Sequence, residues 1–516
     1  MFNLSICLED SAKRYADKPA IIGEFKELSF GELNYLSNQV ANALINAGIK
    51  ANDKVALSCP NSYFFPAIYY GILKAGGVVV PLSVLLKRDE IIYHLNDAEA
   101  SFYFCHEGWD ILPIGAEGYA AFREVSFCKE IIIMPNEMDE REHFPLSKSF
   151  ESFIDHESKS FDLVPVGAED TAVIIYTSGT TGKPKGAELT HSNLAWNADL
   201  CRHLFQFNQD DITMTVLPMF HIFGQTCLMN ASIMHGISNV VLPRFDPGLV
   251  LERMQMEKVT IFAGVPTMYW ALMNHIDDVG LIDYEEISRN LKFCISGGAS
   301  LPVQLLNDFE LKFQVSIYEG YGMSEGSPVV SFNHPGQKRK AGSIGKPVWG
   351  VQVKLVNDLG NPVSPGEKGQ LLFKGHNVMK GYYKMPSASA EALKNGWMHS
   401  GDVAVQDEEG FYYIVDRTKD MILRGGLNVY PREVEEVIMQ HESVSLVAVV
   451  GVPDEKMGEE IKAFIVLNEE GSVSEEEIIK WTKTRIALYK YPRIVQFISE
   501  MPLSATGKIL KRELRK

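Results

Sequence analysis

The chain has 516 residues, 46% of them hydrophobic and 22% charged. That is the balance of a water-soluble globular protein, and single cores stop growing near roughly 250–300 residues, so two or more domains are expected. The net charge of −17 argues against general nucleic-acid binding, which favours basic faces, but leaves room for a local anion site.

The seven cysteines, at 7, 59, 105, 128, 201, 227 and 294, form no CxxC pair. They suit free or buried thiols in a reducing cytosol. The opening Met1-Phe2-Asn3-Leu4-Ser5-Ile6-Cys7-Leu8-Glu9-Asp10 has neither the basic region nor the apolar stretch of a signal peptide. No run reaches the roughly 18 apolar residues of a membrane span. A cytoplasmic protein with no transmembrane segment is expected; peripheral membrane contact and a homodimer stay open.

Ser29-Phe30-Gly31-Glu32 is a capping box. Leu33, Leu36, Val40 and Leu44 follow at helical spacing, and Gly48 closes the helix. Val55-Ala56-Leu57-Ser58 reads as a strand. Ile68 to Leu73 reads as a helix, and Val78-Val79-Val80-Pro81 as a strand. Later apolar strands fit at 172–175, 240–242, 260–263 and 292–295. Alternating strands and helices predict an α/β fold, with largely parallel sheets covered by helices.

Character changes near residue 416. Phe411-Tyr412-Tyr413-Ile414-Val415 reads as a strand, and Asp416-Arg417-Thr418-Lys419-Asp420 as a charged, exposed connector. Beyond it come a helix opened by Pro431, strands at 444–450 and 461–467, a helix capped by Ser474 with Glu477, a strand at 494–498 and a basic tail. That is enough for a small α+β domain. The division predicted is a large N-terminal body, 1–416, and a C-terminal domain, 417–516.

The most informative segment is Tyr176-Thr177-Ser178-Gly179-Thr180-Thr181-Gly182-Lys183-Pro184-Lys185-Gly186. It follows the β-branched run Ala172-Val173-Ile174-Ile175. A buried strand that ends in a flexible, hydroxyl-rich, basic loop can wrap N–H groups around a polyphosphate. Glycines let the backbone approach, hydroxyls donate to phosphate oxygens, and lysines neutralise charge. It is not a Walker A loop, because two residues separate Gly179 from Gly182 and Pro184 follows Lys183. On composition alone, an ordinary surface turn is the alternative.

This segment resembles the signature loop of the acyl-adenylating superfamily: acyl-CoA synthetases, adenylation domains and luciferases. The likeness recurs in order as far as Lys508. It implies a large body of helix-covered β-sheets, a small mobile C-terminal α+β lid, and a hinge near Lys419. It also implies an AMP-forming ligase using ATP and Mg²⁺, with coenzyme A as co-substrate. Such chemistry brings two anions together, so it needs a metal, a lysine and phosphate donors more than general acid–base groups.

The resemblance also implies residue roles. Ser178, Gly179, Thr180, Thr181, Gly182, Lys183 and Lys185 would cradle phosphates. In Gly320-Tyr321-Gly322-Met323-Ser324-Glu325, Tyr321 and Gly322 would pack on adenine and Ser324 would bond phosphate. Glu325, with Thr177, would hold Mg²⁺. The spacing Gly320-x-Gly322-x-x-x-Gly326 is one residue off a dinucleotide fingerprint; as a bare pattern a helix-entry turn fits equally well. In His399-Ser400-Gly401-Asp402, Ser400 takes the place of the family's threonine, and Asp402 would accept from the ribose hydroxyls, joined by Arg417. In Pro502-Leu503-Ser504-Ala505-Thr506-Gly507-Lys508-Ile509, Lys508 would bridge carboxylate and α-phosphate, a task suited to an ammonium with three donors. Gly426 would line the pantetheine route after lid rotation.

Substrate type rests on softer signals. Pro218-Met219-Phe220-His221-Ile222-Phe223-Gly224 resembles the coenzyme A-forming branch, with His221 as gate. Residues 264–270 and Ser296-Gly297-Gly298-Ala299 resemble pocket walls. They hold no basic residue for a second carboxylate, and no acidic anchor for an amino acid stands near His221. A medium- or long-chain fatty acid is the leading expectation, with an aryl acid behind it. Loading of a carrier protein instead of free coenzyme A is the rival for the acceptor, and a non-enzymatic or nucleotide-hydrolysing protein the more distant alternative.

Overall fold

The structure, a computed structural model, describes residues 2–136, 144–177, 183–275, 280–417, 420–468 and 473–515. Ser29 and Glu32 form the expected reciprocal cap, and the helix Phe30–Asn46 buries Leu33, Val40 and Leu44. Burying that stripe against the all-buried helix Phe64–Lys74 anchors both to the first sheet.

Two large sheets build the body. The first has eight strands in spatial order Gly381–Tyr382, Lys185–Thr190, Thr171–Thr177, Val78–Leu82, Lys54–Ser58, Ala100–His106, Glu130–Met134 and Lys148–Ser149. Its central pairs are parallel, as with Val55 opposite Val79 and Phe102. These strands are apolar throughout because helices cover both faces. The second has nine strands, with Ile212–Thr215, Ile261–Gly264, Phe293–Ser296 and Ile317–Gly322 side by side and parallel.

A smaller antiparallel sheet follows, made of Val351–Val356, Lys368–Gly375, Trp397–Gln406, Leu393–Lys394 and Tyr412–Arg417. The last of these strands carries Asp416 and Arg417, opposite Val403 and Asp402. The expectation of an exposed connector therefore fails at Asp416. Its carboxylate is buried, accepting from the backbone N–H of Arg417 at 2.7 Å and of Arg432 at 3.2 Å. Burial raises its pKa.

The C-terminal unit has its own core of Ile422, Val434, Ile438, Val449, Ile461 and Ile465. Its sheet joins Leu427–Val429, Ile422–Arg424, Gly458–Leu467, Val444–Asp454 and Ile494–Phe497, with helices Pro431–Ile438 and Glu475–Lys483. It docks on the body through polar contacts. Lys368 pairs with Glu433 at 2.7 Å, and Trp270 Nε1 donates to Ser445 Oγ at 2.7 Å. Among the described residues, no helix is long and apolar enough to cross a membrane.

Candidate active site

A cavity of about 1370 Å³ opens between the body and the C-terminal unit. It sits at the carboxyl ends of parallel strands, where open α/β sheets bind ligands. Register explains the assembly. Gly264 lies opposite Ser296, and Ser296 opposite Glu319. Segments 264–270, 296–299 and 320–325, far apart in sequence, therefore leave neighbouring strand ends and converge.

At one wall, Thr177 ends the strand Thr171–Thr177. Its hydroxyl donates to Glu325 Oε1 at 3.3 Å, and Tyr382 donates to the same oxygen at 2.8 Å. Thr177 lies opposite Lys185 in an antiparallel pair. The signature segment thus joins two antiparallel strands, unlike a Walker A loop, which opens a helix. Lys185 lines the cavity with Nζ 5.3 Å over the Tyr382 ring, while Lys183 lies outside the cavity lining with Nζ 5.8 Å over Tyr93. Ser178, Gly179, Thr180, Thr181 and Gly182 lie outside the described residues, as does Lys419.

At a second wall, Asp402 and Arg417 are cross-strand partners, the geometry in which opposite charges pair. Arg417 Nε is 3.2 Å from Asp402 Oδ1, and Tyr321 O–H donates to Oδ2 at 2.5 Å. Ser400 Oγ accepts from the Asp402 N–H at 3.1 Å. Gly322 has no room for a side chain, because a Cβ would stand 2.1 Å from the Pro328 carbonyl oxygen. Ser324 lines the same wall.

Lys508 enters from the C-terminal unit on a tight turn, where Ser504 N–H donates to the Lys508 carbonyl at 2.8 Å. Its Cε lies 3.0 Å from where a Cβ on Gly298 would stand. Burial pushes the ammonium down to about 8; nearby Arg417 adds to this and Asp402 opposes it. Desolvation penalises the charged form, so this lysine is poised to gain from arriving anions.

The lining also includes an apolar set, Phe205, Phe223, Cys227, Ile295, Val329 and Phe332. His221 stands among these residues, and its Nδ1 accepts from the Phe223 N–H at 3.3 Å. Burial, then the Lys508 charge, push its pKa down to about 3, so the imidazole is neutral. The eight residues after Ile222, Phe223–Asn230, wind as a π-helix, a form frequent at functional sites. Gly297 packs against Phe223 on the cavity wall, with a hypothetical Cβ 3.1 Å from the ring. The Ser296 hydroxyl, also on the wall, has no hydrogen-bond partner among the described residues.

Gly426 is elsewhere. It is exposed at φ +78°, with nothing within 4 Å of a hypothetical Cβ, and does not line the cavity.

Among the cavity residues that sequence reasoning missed are Tyr382 and Glu319. Tyr382 lies in no motif; it reaches Glu325 because Gly381–Tyr382 pairs with the strand Lys185–Thr190. Glu319 precedes the Gly320 motif and is 7% exposed; burial pushes its carboxyl up to about 8 although the Gly342 N–H donates to it at 2.8 Å. Its strand position, in line with Ser296, was the available signal.

Comparison with known proteins places the chain in a family. Residues 8–383 match the family described as AMP-binding enzyme, and residues 433–508 match the AMP-binding enzyme C-terminal domain. A long-chain-fatty-acid–CoA ligase of Bacillus subtilis is 36% identical over 99% of this chain and 94% of its own. A feruloyl-CoA synthase of an Amycolatopsis species is also 36% identical, over 95% of this chain and 94% of its own. The crystal structure of an anthranilate CoA ligase with anthranoyl-AMP superposes with a TM-score of 0.91 at 30% identity, covering 100% of this chain and 96% of that one. With both family segments matched in order and the cavity built where they meet, the chain belongs to the AMP-binding enzyme family.

Proposed function

We infer that the protein joins a medium- or long-chain fatty acid to coenzyme A in two steps through an acyl-adenylate. The observation that carries the reading is the convergence of Lys508, the Thr177–Glu325 pair and the Tyr321–Asp402–Arg417 cluster on one cavity that apolar side chains also line.

In the first step the Asp402 carboxylate, oriented by Tyr321 and Arg417, accepts from the ribose hydroxyls, and Tyr321, Gly322 and Ser324 flank the nucleotide. Lys185, with residues 178–182, serves the phosphates, whereas Lys183, outside the cavity lining, takes no part in this arrangement. Lys508 places its ammonium where the acid's carboxylate meets the α-phosphorus and offsets the gathering negative charge. Mg²⁺ supplies charge neutralisation on the phosphates when bound. Glu325 and Thr177 fit it, because a hard cation takes one or two protein oxygens and completes its shell from phosphates and water. His221, neutral and on the cavity wall next to Phe223, gates the acyl chain without adding charge.

The second step needs a different face. Arg417 ends the body's last strand, and the connector around Lys419 serves as hinge between the body and a mobile lid. Gly426, exposed and unobstructed in this arrangement, comes to line the thiol's path after rotation, so one cavity serves two reactions. Free cysteines at all seven positions and the use of ATP and coenzyme A favour a cytoplasmic setting.

An aryl acid is the second reading. The unpartnered Ser296 hydroxyl would receive a ring substituent, and two of the similar proteins are named for aryl acids. Coenzyme A ligation rates across acids from acetate to oleate, with ferulate included, test both. A maximum at acetate, malonate or an amino acid would refute the fatty-acid reading, and a maximum at ferulate would replace it.

A further inference from the structure

The turn that carries Lys508 is held by the body at a point outside the catalytic motifs. Thr267, second residue of the body helix Pro266–Met273, donates its hydroxyl to the Gly507 carbonyl at 2.6 Å. Gly507 is at φ +75°, and a Cβ there would stand 2.8 Å from Val265 Cγ2 and 3.1 Å from Thr267 Oγ1. The turn is thus pressed against Val265 and Thr267 with no space for a side chain. One residue on, the Lys508 stem crosses the bare backbone of Gly298. Within the turn, Ser504 Oγ accepts from the Lys508 N–H at 3.1 Å and meets Thr506 Oγ1 at 3.0 Å, so the turn is stiff and moves as a unit.

We propose that Thr267 is a positioning residue for the adenylation step: with Val265 and Gly298 it forms a socket that seats the Gly507-Lys508 turn and fixes the ammonium over the reacting centre. The inference rests on the assignment of Lys508 to that step. Thr267 lies on the cavity wall, and the role assigned to it here is toward the Lys508 turn, through its hydroxyl on the Gly507 carbonyl. Its hydrogen bond exists only while the C-terminal unit is docked in this orientation, so it contributes to the first half-reaction alone. A misplacement of about an ångström in a reacting group lowers rates by up to about 100-fold. The lost hydrogen bond alone accounts for about three- to tenfold.

The test uses full-length enzyme and two separate assays: acid-dependent exchange of labelled pyrophosphate into ATP, and thioester formation from supplied acyl-adenylate and coenzyme A. Thr267→Val is expected to lower the exchange kcat at least about threefold with the ATP KM unchanged, and to leave thioester formation at or above the wild-type rate. Thr267→Ser restores exchange, because the hydroxyl returns. Ser445→Ala removes the Trp270 hydrogen bond to the same helix without touching the turn, and serves as the comparison. Wild-type exchange in Thr267→Val, equal loss of both half-reactions, or an equal effect of Ser445→Ala would each overturn the socket. In the Lys508→Ala background Thr267→Val should add nothing, and a further loss there also counts against it. If Lys508→Ala itself exchanges normally, the assignment of Lys508 fails first, and the socket with it.

Discussion

The Tyr321 hydroxyl donates to Asp402 Oδ2 at 2.5 Å while Arg417 reaches the other carboxylate oxygen at 3.2 Å. Burial, and next the Asp402 charge, hold the Tyr321 phenol well above its ordinary range, so it stays a donor at any working pH. The carboxylate is therefore oriented before a nucleotide arrives.

Removing the phenol should misalign that carboxylate. A hydrogen bond to a charged group contributes about 1.5–3 kcal/mol, so Tyr321→Phe should raise the ATP KM about tenfold or more. Asp402→Ala should raise it further, because Arg417 is then left unpaired as well. Exchange kinetics at varied ATP check both, and an unchanged KM in Asp402→Ala would remove Asp402 from the nucleotide site.

Lys508 should set an alkaline limit on the first half-reaction. Its free-enzyme pKa is pushed down to about 8, and the charged form acts, so the group is competent below that value and loses its proton as pH rises through it. For adenylation, kcat/KM should fall about tenfold per pH unit above pH ~8. His221, already neutral with a pKa near 3, cannot produce that limb. Lys508→Arg should abolish the fall, since a guanidinium keeps its charge, whereas Lys508→Ala should nearly abolish adenylate formation and spare thioester formation from supplied adenylate. A wild-type profile flat to about pH 9.5 would contradict the assignment.

Gly426→Leu should give the opposite split. No atom obstructs the added side chain in this arrangement, so adenylate formation should continue despite backbone strain of about 1 kcal/mol at positive φ. Thioester formation should stop if the side chain fills the thiol's route. Coenzyme A ligation at the wild-type rate would refute the tunnel role.

Chain-length preference should follow the apolar part of the cavity wall. Each buried methylene contributes about 0.8 kcal/mol, roughly a fourfold gain in kcat/KM, until the cavity is full. Gly297 faces Phe223 with no spare room, so Gly297→Leu should move the optimum to shorter acids and lower activity on the longest ones at least about tenfold. A length profile that matches wild type would place the acyl chain elsewhere.

The sequence by itself determined the elements whose signals are local. The Ser29–Glu32 cap, the Pro431 helix and the Ser474 cap appear where they were read, and the apolar strands read at 260–263 and 292–295 appear one residue on, as Ile261–Gly264 and Phe293–Ser296. Capping boxes and short apolar runs span only a few residues, so a few residues reveal them. The motif residues Thr177, Glu325, Tyr321, Asp402 and Lys508 were likewise legible, and all of them line one cavity. What only the tertiary structure decided depends on register and docking. Tyr382 meets Glu325 across 57 positions, and Thr267 meets Gly507 across 240. Neither pairing leaves a local pattern. Asp416 read as exposed because its neighbours are charged, yet a cross-strand partner and the Arg432 backbone bury it. A sequence carries no direct record of which distant backbone will remove a given carboxylate from water; that is settled only when the sheets and the C-terminal unit close around the cavity.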